Sequence, residues 1–133
     1  MLRQSEIPWS YSSYEEPFDE DSRYVCADRF YCFNWDLFTK EHWSRLDEVF
    51  RLLPGWIGYR GDSPKNYLNI AYWFGSDEEK LPFLSAWVEQ PYLQVDGVVL
   101  PEDLRVWETT LLHLAVGLPK RVLTGWPGGK PAP

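Results

Sequence analysis

Residues 67–74, from Tyr67 to Phe74, constrain the fold more than any other stretch. They are almost wholly aliphatic and aromatic, contain no Pro or Gly, and are too short to stand alone as a helix. Turn-formers bracket them, Gly61-Asp62-Ser63-Pro64 before and Gly75-Ser76-Asp77 after. That pattern predicts a strand at the centre of a sheet. Alternation places Leu68, Ile70, Tyr72 and Phe74 on one face, the more apolar and so the expected core face. Tyr67, Asn69, Ala71 and Trp73 share the other, mixed face, which is expected to be open.

The elements around this strand follow from periodicity and punctuation. Residues 29–35 read as a strand that starts as early as Tyr24. Thr39 is placed to cap a helix in which Trp43, Leu46, Phe50 and Leu53 recur at helical spacing, widened by Val49 and Leu52. Glu41 with Arg45, and Asp47 with Arg51, are acid-first i,i+4 pairs that support it, and Pro54-Gly55 ends it. Residues 56–60 form a short strand. Residues 83–89 alternate as a strand, with a short helical turn as the competing reading. Asp96-Gly97 signals a hairpin between residues 92–95 and 98–100, or one strand bent at the glycine. Pro101-Glu102-Asp103 opens a second helix on Leu104, Trp107, Leu111 and Leu114, with Val106, Leu112 and Ala115 adding to its stripe. Gly117 and Pro119 close it.

The order β-α-β-β-β-β-α predicts an α+β domain. It has an antiparallel sheet of about four to five strands, with two amphipathic helices packed on one face. The organisation expected is an acidic, aromatic arm over residues 1–22, a single domain over 23–119 and a Pro/Gly-rich tail over 120–133. In the arm Glu6, Glu15, Glu16, Asp19, Glu20 and Asp21 stand against one base, Arg3, with Ile7, Trp9, Tyr11, Tyr14 and Phe18 interleaved. Those rings are expected to pack the arm back on the domain.

With 133 residues the chain is one domain with room for a core. Its formal charge of −7 disfavours nucleic-acid phosphates and anionic membrane surfaces and suits a basic protein partner. The aromatic share of 17% serves either packing or an interface. Cys26 and Cys32 have neither redox nor zinc spacing, and Cys32 reads as a buried hydrophobe. The N-terminus shows no apolar signal region, and the expected location is cytoplasmic.

No catalytic motif stands out, and no cofactor or metal is expected. His42 falls in the first turn of the first helix and His113 beside the stripe of the second; a small enzyme would use one of them. The Arg60-Gly61-Asp62 triplet is short enough to recur by chance. The acids at 15–21 and 77–79 read as charged surface rather than as catalytic pairs.

In size, acidity, richness in Trp and Tyr and α+β character, residues 23–116 resemble the immunity proteins of bacterial polymorphic toxin systems. The segments Leu93-Gln94-Val95-Asp96-Gly97 and Pro101-Glu102-Asp103-Leu104-Arg105-Val106-Trp107 carry the likeness. The resemblance implies tight blocking of a cognate, commonly basic, toxin by acids and rings. The contacts expected on that reading are Glu15, Glu16, Asp19, Glu20 and Asp21 in the arm, Asp62, Asp77, Glu78 and Glu79 in loops, and Tyr67 and Trp73 on the open sheet face. The alternative reading is a small-ligand or carbohydrate-binding domain that stacks its ligand on Tyr67, Tyr72 or Trp73.

Overall fold

The computed structural model describes residues 10–19 and 23–121, the side chains of residues 10–15 and 66 excepted. Six antiparallel strands form one sheet: β1 (Ser10–Pro17), β2 (Val25–Tyr31), β3 (Trp56–Arg60), β4 (Ile70–Trp73), β5 (Phe83–Val88) and β6 (Leu93–Val99). Their order across the sheet is β1-β2-β6-β5-β4-β3. Helix α1 (Lys40–Leu52) crosses between β2 and β3, and α2 (Pro101–Leu114) follows β6. The class is the expected α+β. The additional strand is β1, drawn from the acidic N-terminal segment and paired with β2 along its length.

Each helix begins where local chemistry places it. Thr39 caps α1 through a reciprocal pair: its Oγ1 accepts from the His42 amide at 3.3 Å, and its own amide donates to His42 Nδ1 at 3.0 Å. Leu46, Val49 and Phe50 of α1 and Leu104, Trp107 and Leu111 of α2 turn inward. They join Ala27, Tyr31, Leu84, Ala86, Leu93, Val95 and Val99 in a single core. Leu52 and Val106, counted with the stripes in sequence, are instead exposed. The angular position of each lies beyond the edge of the apolar face.

Trp73 is the hub of this core. It is fully buried, its Nε1 donates to Phe50 O at 3.0 Å, and its ring meets Phe50, Trp56 and Trp107 edge-on at 5.2, 5.5 and 5.1 Å. Edge-to-face contacts of this kind add to the area that each ring removes from water. The expected division of residues 67–74 into a core face and an open face therefore holds only in part: Tyr72, expected in the core, is buried, but so are Ala71 and Trp73 on the alternate pleat. Ala71 and Trp73 are buried against the helices, whereas Leu68 and Ile70 are exposed. Two local events reduce the strand to four residues. Asn66–Leu68 coils into a 3-10 turn, and Phe74, at φ 70°, leaves extended geometry. The strand is also next to the edge of the sheet rather than central.

Residues 93–99 form one continuous strand, so Asp96-Gly97 is not a turn. The glycine is required by packing. A Cβ there would lie 2.3 Å from Phe83 O and 2.8 Å from Leu84 Cα on the neighbouring strand. Residues 83–88 are strand, not helix. The seam between sheet and helices includes one buried polar group. Arg29 Nε pairs with Glu108 Oε2 at 3.1 Å, and Tyr31 Oη donates to the same oxygen at 2.6 Å.

Candidate functional site

The face of the sheet turned away from the helices carries a row of polar residues across four strands. Register sets Asp28 of β2 opposite Asp96 of β6, Asp96 opposite Ser85 of β5, and Ser85 opposite Tyr72 of β4. Cys26, Val98 and Phe83 form the row on one side, and Phe30, Gln94 and Trp87 the row on the other. Each of these residues is on the alternate pleat from the core residues Ala27, Val95 and Leu84, which is why strand geometry brings them together.

Asp28 and Asp96 are thus direct cross-strand neighbours of like charge, an arrangement that weakens a sheet. Gln94 stands between them and donates from Nε2 to Asp28 Oδ1 and, at 3.4 Å, to Asp96 Oδ1. Burial first, and then the charge of Asp28, push the Asp96 carboxyl from 3.8 up to about 6. The hydrogen bond with Asp28 and the charge of Glu78 act in the same direction, and the Gln94 bond opposes them. A carboxyl raised to about 6 keeps its proton in mildly acidic solution and is largely ionised at pH 7, and a cation placed beside it favours the charged form.

At the far end of the row the loop over residues 75–82 lies against the sheet. Tyr72 Oη donates to Glu78 Oε2 at 3.3 Å, and the Arg60 guanidinium is 5.7 Å from the Tyr72 ring centroid. Burial, followed by the Glu78 charge, raises the pKa of Tyr72, and Arg60 opposes the rise. Ser85 Oγ donates to Asp96 O at 3.3 Å. A depression of about 300 Å³ opens here, bounded by Leu68, Ile70, Tyr72, Glu78, Ser85 and Trp87. Apolar groups frame the acids: Phe30 and Tyr92 meet edge-on at 4.6 Å, Trp87 is half-buried, and Ile70 and Leu68 are exposed.

The residues expected from sequence are distributed unevenly around this face. Glu16 is exposed and pairs in register with Cys26, which puts it on the same side of the sheet. Asp19 is exposed just beyond β1, and Glu15 pairs in register with Ala27. Glu20 and Asp21 lie outside the described residues. Asp77, Glu78 and Glu79 are exposed on the loop that closes over Tyr72. Asp62 is exposed at the turn between β3 and β4. Trp73 is a core residue, as described above, and has no surface to offer a partner. Tyr67 has left the sheet for the 3-10 turn, where it stacks on Trp43 at 4.0 Å. Asn69, also expected on the open face, instead pins the turn before it, accepting from the Ser63 amide and donating to Ser63 O, both at 3.1 Å.

His42 caps α1, and His113 is exposed in the last turn of α2. Cys32 is fully enclosed, and burial pushes its thiol up to about 12. Among the described residues no group of three or more His, Cys, Asp or Glu is arranged to hold a metal ion, and no helix is long and apolar enough to cross a membrane. Asp28, Asp96, Gln94 and Ser85 escaped the sequence reading. The one available signal was an acid placed within an otherwise apolar alternation, Leu93-Val95-Gly97-Val99 against Gln94-Asp96-Val98. No family model, curated protein or solved structure significantly matches the chain.

Proposed function

We propose that this protein binds and blocks a basic protein, in the manner of an immunity protein that neutralises its cognate toxin, and that it does so with the sheet face opposite the helices. The observation that supports this reading is the opposition of Asp28 and Asp96 in the middle of that face. Two acids held side by side are unfavourable in the free protein. A lysine or arginine inserted between them relieves the repulsion, so part of what the fold loses is returned on binding. The surrounding Phe30, Tyr92, Trp87 and Ile70 supply the apolar contact that holds such complexes together. Glu16, Asp77, Glu78 and Glu79 add long-range attraction at the margin, consistent with a net charge of −7.

The test is affinity capture with the wild-type protein and, in parallel, with the D28N/D96N double variant, followed by co-expression of any captured basic protein. The expected result is a partner that is toxic alone, is tolerated with the wild-type protein, and is released by the double variant. A basic partner retained equally by both forms, or growth that is not rescued, refutes the reading.

A further inference from the structure

A second concave surface lies between α1 and the turn that precedes β4. We propose that this groove is a binding site for a small anion that carries a flat ring, such as a ring-bearing carboxylate or phosphate. The inference stands apart from the sheet-face reading and shares none of its residues.

The groove measures about 820 Å³, within the range of small-molecule sites. Its walls are Lys40, Trp43, Asp47 and Glu48 from α1 and Pro64, Lys65 and Tyr67 from the facing turn, with Tyr59 from β3. Trp35, Trp43 and Tyr67 form a stack of nearly parallel rings, with centroids 5.1 and 4.0 Å apart and planes inclined by 13° and 21°. Trp43 occupies one face of Tyr67. The Lys65 ammonium group lies 5.9 Å from the Tyr67 centroid, on a flexible stem that can move aside. A ligand ring placed on that face extends the stack by one member.

The charges decide the ligand. The two acids of the lining already have partners: Asp47 pairs with Arg51 at 2.9 Å and accepts from the Tyr59 hydroxyl at 2.5 Å, and Glu48 pairs with Arg45 at 3.6 Å. Neither Lys40 nor Lys65 has a carboxylate within ion-pair distance among the described residues. In a chain of net charge −7 the uncommitted charge of this groove is therefore positive. The walls are also fixed in advance. Asn69 clamps the turn through its two hydrogen bonds to Ser63, the Thr39–His42 pair sets the start of α1, and Tyr59–Asp47 ties α1 to β3. A site that needs little ordering on binding retains more of its contact energy.

The experiment is isothermal titration of the full chain with two charged probes, adenosine 5′-monophosphate and indole-3-acetate. Their uncharged counterparts, adenosine and indole-3-acetamide, and inorganic phosphate are run as controls. The expected result is saturable binding of at least one charged probe with Kd below about 1 mM, its uncharged counterpart and phosphate weaker by about fivefold or more. K40A and K65A, both at exposed positions, are each expected to weaken that binding by about fivefold without lowering the thermal midpoint. D28N/D96N is expected to leave it unchanged, which separates this site from the sheet face. Failure of both charged probes to bind, equal affinity for charged and uncharged forms, or indifference to both lysine substitutions overturns the proposal.

Discussion

Replacing Asp96 with Asn removes the carboxyl whose pKa the fold raises and keeps its shape. The free energy at stake follows from the pKa. Moving the group from 3.8 to about 6 is worth roughly 3 kcal/mol at about 1.4 kcal/mol per pH unit. Solvent still reaches this half-buried carboxyl and screens it, which brings the expectation to about 1–2 kcal/mol. The sign is set by which state keeps the proton. Below pH 4 folded and unfolded chains are both protonated at this position, and nothing is lost. Between pH 4 and 6 the unfolded chain releases its proton first, so wild-type stability falls as pH rises, and above the folded value the loss is complete. D96N lacks this dependence. Urea unfolding of both proteins from pH 4 to pH 8 should therefore give a difference near zero at the acid end. That difference should grow to about 1–2 kcal/mol in favour of D96N at neutral pH. A difference that stays flat with pH, or a D96N variant destabilised throughout, refutes the account of the Asp28–Asp96 pair.

Gly97→Ala forces a methyl group into the space beside Phe83 O and Leu84, and should cost about 2 kcal/mol or more in chemical denaturation. Trp73→Ala empties the hub of the core and removes the bond to Phe50 O. A loss of about 3–5 kcal/mol is expected, measured as a shift in the urea midpoint. Glu108→Ala strips Arg29 and Tyr31 of a shared acceptor inside the sheet–helix seam and should cost about 2–4 kcal/mol in the same assay, more than an exposed ion pair would. Cys32, enclosed and with its thiol pushed up to about 12, should resist iodoacetamide at pH 8 until denaturant is added, as read by mass spectrometry.

The helices were legible because their signals are local. Thr39 as the cap of α1, Pro101 at the head of α2 and the repeated apolar spacing each act within a few residues, whereas the part of His42 in that cap was read only from the structure. Of the strands, β3 was legible in the same way, beginning and ending where its turn-formers indicate, whereas β1 was read as part of an acidic arm and β2 ends at Tyr31 rather than at Trp35. The faces of β4 were not legible. Alternation divides residues 67–74 into two sets, but which set is covered depends on what lies above the sheet. A count of apolar side chains favoured Leu68, Ile70 and Phe74. The helices instead cover the set with the largest ring, Trp73, flanked by small Ala71. Asp96-Gly97 failed differently. The dipeptide has turn chemistry, but the glycine answers a neighbouring backbone 2.3 Å from where its side chain would be, a contact with a strand that precedes it in sequence by more than a turn. The acids of the candidate face were missed with it, since Asp28 and Asp96 are 68 positions apart and meet only through the register of β2 on β6.

That register joins two halves of the chain. Strands β3 to β6 form a meander of sequential neighbours, β1 and β2 a hairpin, and among the described strands β2 on β6 is the only pairing between them. The opposed aspartates are therefore located on the suture of the molecule, and on the proposed binding mode a cation seated between them should tighten the joint where the early and late parts of the chain meet. Amide exchange along Val25–Tyr31 and Leu93–Val99 is where that mechanical consequence would be read: slower exchange in the complex than in the free protein, with the β3–β4 ladder as the internal reference.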